Sequence, residues 1–365
     1  MPGRRRLAFF VSPHGFGHAA RAAAVVAALR ERLSSIEVEL WTTVPRWFFE
    51  ESLDFPFTYR EFSCDVGLVQ RSPVDEDLPA TVAALDRLWS GEAGEKARTR
   101  DVASALVASG ADLVLCDIAP LGLAAAREAG LPSVLFENFT WDWIYEPLVE
   151  LEPRLAPWVV FLREQFALAD LRIQLEPACA PAERAQTVAP ISRRTKQGAE
   201  AVRERLAVPD GGALVLVSLG GVRHRLENFE PLFENNFATF VLLGSSEREE
   251  AIRNVRLLPH HSPVFHPDLV AAADLVVGKL GYSTVAESVS AATRILYIPR
   301  LTFRESAVLE DYVQRRLPAE AMAMDELESG RWVERVPALL ARERPAPRPA
   351  NGAAEAAAIV AGRFF

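Results

Sequence analysis

The 365-residue sequence has little cysteine, no long apolar segment and no excess of positive charge. Its three cysteines, Cys64, Cys116 and Cys179, are widely spaced and form no C-x-x-C motif, so neither a disulfide framework nor a zinc site is indicated. Nowhere do about 18 apolar residues follow one another, which argues against a transmembrane helix. The net charge of −9 argues against nucleic acid as a general partner, because phosphate binding requires clustered lysine and arginine.

The length and the first residues of the chain set two further expectations. The sequence begins Met-Pro-Gly-Arg-Arg-Arg, and the apolar run "LAFFV" that follows is too short for a signal peptide. We therefore expect a cytoplasmic protein. A chain of 365 residues is too long to fold around one ordinary hydrophobic core, and its length fits two domains of comparable size.

In the first half of the chain, short apolar runs alternate with longer amphipathic stretches. Helical spacing of apolar residues predicts helices over residues 20–33, 78–88, 101–109 and 121–129. The alternation indicates a parallel sheet with crossover helices. The runs that predict buried strands are "LAFFV", "VELWTT", "ADLVLCD" and "PSVLFEN".

The alternation lapses over residues 178–198 and then restarts with strands such as "ALVLVSLGG" and "ADLVVGKLG" and helices such as "STVAESVSAA". We therefore predict an α/β protein with two doubly wound, Rossmann-like domains, over residues 1–190 and 191–345. A terminal helix within residues 346–365 follows the breaker "RPAPRP" and can cross back to the first domain. Such a fold places its ligand in the cleft between the domains, at the carboxyl ends of the strands.

The loop "SPHGFGHAAR" near the amino terminus allows two interpretations. Gly15, Gly17 and Ala20 fit the dinucleotide fingerprint G-x-G-x-x-G/A. However, the second strand ends at Thr42 and Thr43, where an NAD-binding domain needs an acid for the ribose. We therefore set the NAD interpretation aside and expect the glycines to turn the backbone sharply and direct helix amides into the cleft.

Two histidines on this loop indicate acid–base chemistry instead. His18 is expected in the first turn of the following helix, and His14 in the loop before it. A base near pH 7 is typically a histidine held by a carboxylate, and Asp117 ends the strand "DLVLCD" at the same sheet edge. The alternatives are that either histidine only hydrogen-bonds the loop and that Asp117 caps the helix starting near Pro120.

In the second half, two glycine turns follow predicted strands. The stretch "GKLGYSTVAES" predicts a strand, a glycine loop and a helix whose first turn contains hydroxyl side chains. Loop amides and a helix N-terminus suit a diphosphate, and an acid one turn later can accept hydrogen bonds from a ribose diol. Alternatively, Ser283 is only an N-cap and Glu287 is solvated. The candidate nucleotide-binding residues are Gly220, Gly221, Gly281, Ser283, Thr284 and Glu287.

Several blocks of the sequence resemble a known family. The stretches "GFGHAAR", "FENFTWDWIY" and "GKLGYSTVAE", with "YIPR" and "FRES", are similar to the glycosyltransferase-like N-terminal region of plant L-arabinokinases. They are more distantly similar to GT-B glycosyltransferases of family 28. The likeness covers nearly the whole chain. The galactokinase-like domain of arabinokinases has no counterpart here, so the resemblance implies no sugar kinase activity.

The resemblance implies a nucleotide-sugar donor in the carboxyl-terminal half and an acceptor in the amino-terminal half. His18 matches the histidine after the glycine loop, Asp117 the acid that pairs with it, and Glu287 the ribose-binding acid. Family 28 usually opens with Gly-Gly-Thr-Gly-Gly-His, whereas this loop is Ser-Pro-His-Gly-Phe-Gly-His, so the acceptor site is not transferable.

An aromatic run after the strand "SVLFEN" is a candidate sugar-binding surface. Indole faces suit the C–H faces of a sugar ring, and Asn138 and Asp142 can bind hydroxyls. Alternatively, these alternating aromatics form core. The candidate acceptor or sugar contacts are His14, Gly17, Asn138, Trp141 and Asp142.

The sequence therefore predicts a metal-independent glycosyltransferase that uses no cofactor. Its expected co-substrate is a nucleotide sugar, with a UDP-sugar as the predicted donor, and its acceptor is an unidentified hydroxyl compound. His18 would deprotonate the acceptor and Asp117 would orient His18. One alternative is a nucleotide-sugar-binding sensor without transfer. A nucleotide-sugar epimerase is the other, and it normally needs more charged groups in the cleft than this sequence offers.

Overall fold

A computed structural model describes residues 5–72, 75–90, 94–220, 226, 228–348 and 351–365. These residues divide into two compact units. Unit 1 comprises the described residues of Met1–Gln70, Glu76–Ile191 and Asn351–Phe365, and unit 2 comprises those of Arg71–Asp75 and Ser192–Ala350.

The described residues form sixteen strands. The first nine are β1 (Arg5–Val11), β2 (Ile36–Thr42), β3 (Thr58–Glu61), β4 (Gln70–Ser72), β5 (Asp75–Glu76), β6 (Leu113–Asp117), β7 (Ser133–Glu137), β8 (Leu171–Leu175) and β9 (Gln186–Val188). The other seven are β10 (Ala213–Ser218), β11 (Ala238–Leu243), β12 (Glu250–Ile252), β13 (Val255–Leu258), β14 (Leu275–Lys279), β15 (Arg294–Ile298) and β16 (Ala319–Ala321).

Fifteen α-helices lie in the described part of the chain. Those before residue 200 are α1 (Phe16–Arg32), α2 (Arg46–Glu50), α3 (Leu78–Trp89), α4 (Gly94–Ser109), α5 (Pro120–Ala129), α6 (Trp141–Tyr145), α7 (Ala156–Phe166) and α8 (Ala199–Arg205). They are followed by α9 (Glu230–Phe233), α10 (His266–Ala272), α11 (Tyr282–Ala291), α12 (Glu305–Gln314), α13 (Met324–Ser329), α14 (Val336–Leu340) and α15 (Gly352–Phe364).

Unit 1 contains a seven-stranded parallel sheet in the order β3-β2-β1-β6-β7-β8-β9. Strands β6 and β7 are buried along their whole length, which fits their continuous apolar sequences. The strand order reverses between β1 and β6, and ligands bind at such a switch point in doubly wound folds. At this point Val11 is the register partner of Asp117. The predicted α/β class is confirmed.

Helix α1 begins at Phe16, four residues before the predicted start at residue 20. Gly15 has a φ of 77°, a left-handed conformation that glycine adopts at low cost, and it turns the chain directly into the helix. His18 therefore lies inside the first turn, three residues before Arg21 and on the same helix face.

Two other elements, one helix and one strand, differ from the sequence prediction. Helix α4 begins at Gly94 rather than near residue 101, because its first turns carry charged side chains that give no apolar periodicity. Strand β9 lies within residues 178–198, where no element was predicted. It is a three-residue edge strand with two exposed positions, so it leaves little hydrophobic signal.

Unit 2 repeats this plan with a second seven-stranded sheet, in the order β12-β13-β11-β10-β14-β15-β16. Strand β12 pairs with β13 in antiparallel fashion, and the other pairs are parallel. The strand order reverses between β10 and β14, where Ser218 is the register partner of Gly278. This is the switch point of unit 2 and the expected place for its ligand.

Gly278 allows β14 to approach β10 at this point. A Cβ atom added to Gly278 would lie 1.9 Å from the carbonyl oxygen of Ser218. We therefore expect Gly278→Ala to lower the free energy of unfolding by about 1–3 kcal/mol, because the backbone must shift to relieve the overlap. Urea denaturation would measure this loss. Gly281→Ala is the matched control, since its Cβ would meet nothing within 4 Å, and an equal loss in both variants would contradict the explanation.

The carboxyl-terminal segment belongs to unit 1. Helix α15 packs against α1, and the side chain of Glu355 accepts a hydrogen bond from the Ala189 amide (2.9 Å). A Cβ atom on Gly352 would lie 1.9 Å from the carbonyl oxygen of Ala189, so the re-entering chain touches the segment that leaves unit 1. No helix of the described residues is long and apolar enough to cross a membrane.

Candidate functional site

His18 and Asp117 meet at the switch point of unit 1. Asp117 is the last residue of β6, and the loop over residues 12–15 connects β1 to α1. The Nδ1 atom of His18 lies 2.7 Å from Oδ1 of Asp117. Ile118 follows with a φ of 39°, a strained conformation for a β-branched residue, and such strain concentrates at functional sites. The strand end and the first helical turn thus bring the two side chains into contact.

Arg21 is a third member of this cluster that the sequence analysis missed. Its Nε and Nη2 atoms donate to the two oxygens of Asp117 (2.5 and 2.7 Å), and Nη1 donates to Oδ1 of Asn138 (2.6 Å). The side chain is buried, with 2% exposure. Bidentate pairing fixes the orientation of the carboxylate. The three-residue spacing in "HAAR" was the available signal, because residues i and i+3 share a helix face.

The charges of the cluster define the protonation state of His18. Burial lowers the pKa of His18, and the positive charge of Arg21 lowers it further, against an opposing effect of Asp117. Burial raises the pKa of Asp117, but Arg21 and His18 together outweigh this effect and hold the pKa of Asp117 below its usual value. At pH 7 the imidazole is therefore neutral and the carboxylate is ionised.

The Nδ1 atom of His18 lies 2.7 Å from Oδ1 of the ionised Asp117, and two unprotonated acceptors at that distance would repel each other, so we assign the ring proton of His18 to Nδ1. The Nη2 atom of Arg21, which lies 2.9 Å from the same nitrogen, then donates to Asp117. The lone pair then resides on Nε2, which no described residue hydrogen-bonds. A neutral imidazole oriented by a carboxylate through one nitrogen presents the other nitrogen as a general base.

His14 lies beside this cluster, packed between an aromatic ring and a glycine. Its ring centroid is 5.0 Å from that of Trp141, in an edge-on arrangement. Gly67 has a φ of 63°, and a Cβ atom there would lie 2.8 Å from Nδ1 of His14. Gly67 must therefore remain glycine for the imidazole to fit. Gly17 lies within the first turn of α1, where its predicted ligand contact stays a prediction.

The aromatic run is largely interior rather than an open platform. Trp141 is 1% exposed and stacks on Tyr145, with ring centroids 5.9 Å apart. The run forms the short helix α6, so residues 141 and 145 share one buried face. The burial of Trp141 therefore favours the alternative, in which the aromatic residues form core, over stacking on a sugar. Asn138 is also buried, and its side-chain oxygen accepts from Arg21 rather than facing open space.

Asp142 occupies the first turn of α6. Its Oδ2 atom lies 3.4 Å from Nε of Arg163, which balances the carboxylate charge. Its other oxygen, Oδ1, is buried without a hydrogen-bond partner among the described residues. A role of Asp142 in binding acceptor hydroxyls stays a prediction.

In unit 2, the corresponding switch point brings two strand ends and a helix start together. Gly281 is the N-cap of α11 and offers no side-chain cap. Ser283 and Thr284 are half-buried in the first turn of this ten-residue helix. The first amides of a helix lack intrahelical acceptors and favour anions. These residues therefore lie where the sequence analysis predicted, at the amino-terminal end of a helix that follows β14.

Glu287 lies one turn further along α11 and is buried and paired. His266 Nδ1 lies 2.7 Å from its Oε2 atom, and Arg193 Nη2 lies 3.4 Å from Oε1. Burial raises the pKa of Glu287, but His266 and Arg193 outweigh it, so the pKa lies below its usual value. The alternative of a solvated Glu287 is wrong. The Nε2 atom of His266 lies 3.3 Å from the hydroxyl of Ser218, which fixes both ends of the imidazole.

A lysine adds positive charge to this region of unit 2. Gly220 has a φ of 75°, and a Cβ atom there would lie 3.9 Å from Nζ of Lys279. Lys279 ends β14, immediately before the turn into α11. Its place in the sequence stretch "GKLG", between two glycines at the end of a predicted strand, was the available signal. Gly221, the second predicted glycine of this turn, lies outside the described residues. Across the described residues, no group of three or more His, Cys, Asp or Glu side chains could hold a metal ion.

Comparison with known proteins identifies the fold. No family model matches the sequence. The chain is 28% identical to L-arabinokinase of Arabidopsis thaliana over 333 residues, which are 89% of this chain and 31% of that protein. The chain thus spans about a third of the length of this relative, and the resemblance to it is confirmed.

Solved glycosyltransferase structures match nearly the whole chain. The glycosyltransferase of kitacinnamycin superimposes with a TM-score of 0.61 at 17% identity, covering 98% of this chain and 94% of that one. MurG of Acinetobacter baumannii gives 0.57 at 15% identity, with coverages of 99% and 100%. A UDP-glucosyltransferase of Polygonum tinctorium gives 0.60 at 14% identity, with coverages of 99% and 98%. The chain has the GT-B fold. In this GT-B protein, His18 lies in unit 1 and Glu287 in unit 2, and their roles, like membership of family 28, stay predictions.

Proposed function

We propose that this GT-B protein is a glycosyltransferase that moves a sugar from a nucleotide-sugar donor to an acceptor hydroxyl. The observation that carries the proposal is the neutral His18 imidazole, held through Nδ1 by Asp117 at 2.7 Å, with Nε2 available as a base. A binding protein without catalysis has no need for such a base. The similarity to L-arabinokinase and to glycosyltransferase structures supports the same class of reaction.

The proposal assigns the donor to unit 2. The amides at the start of α11, the Gly220 turn and the Lys279 ammonium group supply donors and positive charge for a diphosphate. Glu287 is ionised and would accept a hydrogen bond from the ribose. A UDP-sugar is the donor to test first, because one structural relative is described as a UDP-glucosyltransferase.

The proposed reaction is a direct displacement. His18 Nε2 takes the proton from the acceptor hydroxyl, and that oxygen forms a bond to the anomeric carbon of the donor sugar. The bond between this carbon and the diphosphate oxygen breaks, and the nucleoside diphosphate leaves with the electron pair. Lys279 and the α11 amides stabilise its charge, so the proposed reaction uses no metal ion. Transfer that survives EDTA treatment would support that part of the proposal.

A panel of UDP-, dTDP- and GDP-sugars tests the function directly. Thermal stabilisation of the purified protein by one of them would identify a ligand, and mass spectrometry with candidate acceptors would detect a product. Binding without product would favour the sensor alternative. Tight binding of NAD would revive the dinucleotide interpretation of the Gly15 and Gly17 loop.

Glu287→Gln is expected to weaken UDP binding by roughly 1.5–3 kcal/mol, about one to two orders of magnitude in Kd, through loss of a charged hydrogen bond to the ribose. Glutamine has nearly the shape of glutamate and limits repacking around His266. Calorimetric titration would measure the change. The matched control is Glu320→Gln, which weakens the ion pair with Arg335 at β16. Unchanged UDP affinity in Glu287→Gln would overturn the donor assignment.

A further inference from the structure

Asp65 lies at the same end of unit 1 as the His18 cluster and has no role in the proposed reaction. It lies on the segment between β3 and β4. Cys64 Sγ donates to the carbonyl oxygen of Val11 at the end of β1 (3.2 Å), and Tyr145 Oη donates to the carbonyl oxygen of Gly67 (2.8 Å). These two contacts flank Asp65 and hold its segment at the carboxyl-terminal edge of the sheet, beside the His18 cluster.

Only half of the Asp65 carboxyl group is hydrogen-bonded. Trp141 Nε1 donates to Oδ2 (2.8 Å), whereas Oδ1 is buried and has no hydrogen-bond partner among the described residues. The hydroxyl of Ser12 favours the ionised form but makes no bond of ordinary geometry to Oδ1. Asp65 is 3% exposed, so water is largely excluded. A buried acceptor left unpaired is costly, and a ligand hydroxyl would remove that cost.

The indole of Trp141 connects Asp65 to the proposed base. The ring centroid of Trp141 lies 6.3 Å from that of His18 and 5.0 Å from that of His14. Burial raises the pKa of Asp65 to about 7, and the negative charge of Asp117 adds to this, so Asp65 is mainly ionised only above about pH 7. His18, the proposed proton acceptor, and Asp65, a hydrogen-bond acceptor, therefore both adjoin the indole ring of Trp141.

Asp142 is the competing candidate, because it also has an unpartnered Oδ1 atom. Its charge, however, is already paired with Arg163. Asp65 has no ion-pair partner among the described residues, and only Asp65 bonds to the indole that adjoins His18. The observations therefore favour Asp65.

We propose that Asp65 binds the acceptor, and that the acceptor is a polyol: one hydroxyl gives its proton to His18, and a second donates a hydrogen bond to Oδ1 of Asp65. This inference rests on the proposed transferase function and adds the substrate class. A compound with a single hydroxyl would satisfy His18 and leave Asp65 unpaired. Sites built to bind a hydroxyl discriminate strongly against analogues that lack it, because the buried polar group then stays unpaired.

The test compares trans-1,2-cyclohexanediol with cyclohexanol, and methyl glucoside with its single-deoxy derivatives, as acceptors for the donor that the panel identifies. We expect the wild-type protein to prefer the compound with more hydroxyls. At about pH 8, where Asp65 is mainly ionised, the ratio of kcat/KM for diol over mono-alcohol should fall about 10- to 100-fold in Asp65→Asn, through the loss of a hydrogen bond to a charged group. UDP affinity and thermal unfolding would verify that the variant is folded.

Asp142→Asn is the matched variant, since it also removes a buried carboxylate with one unpartnered oxygen. A ratio that follows Asp142 instead of Asp65, an unchanged ratio in Asp65→Asn, or a wild-type preference for mono-alcohols would overturn the inference. If the wild-type protein transfers to no acceptor, the proposed function fails. Calorimetric binding of methyl glucoside to wild type and Asp65→Asn then tests Asp65 alone, and equal affinities would overturn its role.

Discussion

His18→Ala is expected to reduce the rate of sugar transfer about 10²- to 10⁴-fold, the usual contribution of a positioned general base, which is roughly 3–5 kcal/mol in activation free energy. UDP affinity should not change, because the nucleotide-binding candidates lie in unit 2. Initial rates and calorimetric titration of UDP would measure the two quantities separately. A wild-type rate would show that His18 is only structural.

Two variants sharpen this experiment. Asp117→Asn should lose less activity than His18→Ala, because Asp117 orients the imidazole and does not accept the acceptor proton. Equal losses would indicate that the pair acts as a unit. His261→Ala, which removes an exposed histidine of unit 2, is the matched control and should retain wild-type turnover.

Arg21→Met is expected to lower the free energy of unfolding by about 3–5 kcal/mol, because it leaves the buried Asp117 without the cation that pairs with it. It should also change the pH dependence of kcat/KM. Arg21 opposes protonation of His18, so its removal raises the pKa of His18. Since only the neutral imidazole acts as a base, activity should begin to fall at a higher pH as the solution is acidified.

Urea denaturation and pH–rate profiles would test both effects of Arg21→Met. Arg46→Met is the matched control, because it breaks an exposed pair with Glu50 and should cost less than about 1 kcal/mol. An acid limb that stays in place or moves to lower pH would contradict the assigned role of the guanidinium charge.

The positions of His18, Asp117 and the α11 residues were predictable because parallel strands end at a common sheet edge. That argument needs only strand ends and the turns that follow them. It placed His18 and Asp117 at one edge and Ser283 and Thr284 at the start of a helix, although their roles stay predictions. The first residue of α1 was predicted wrongly, because it was taken from the periodicity of apolar residues. That periodicity does not reveal a first helical turn that begins directly after a glycine.

Other members of the site depend on contacts that sequence spacing does not encode. Asp65 lies on an irregular segment, so its hydrogen bond to Trp141 follows from tertiary packing alone. His266 reaches Glu287 from a separate helix. Trp141 was expected to offer a ring face, but a five-residue helix turns it inward, and aromatic composition alone does not distinguish core from binding surface. Arg21 was visible in the sequence at helical spacing and was simply overlooked.

The contact between Ala189 and Gly352 has a consequence for the topology of the chain. The chain leaves unit 1 after Ile191 and re-enters it at Asn351, and these two crossings are adjacent in space. Residues 192–350, which are all of unit 2 except the short segment Arg71–Asp75, are therefore an insertion within unit 1 rather than a domain appended to it. Unit 1 can be made continuous by excising that insertion and joining the crossings with a short linker, without cutting either sheet. A stop codon before residue 351, by contrast, would remove the helix that packs on α1 and damage the half that carries His18.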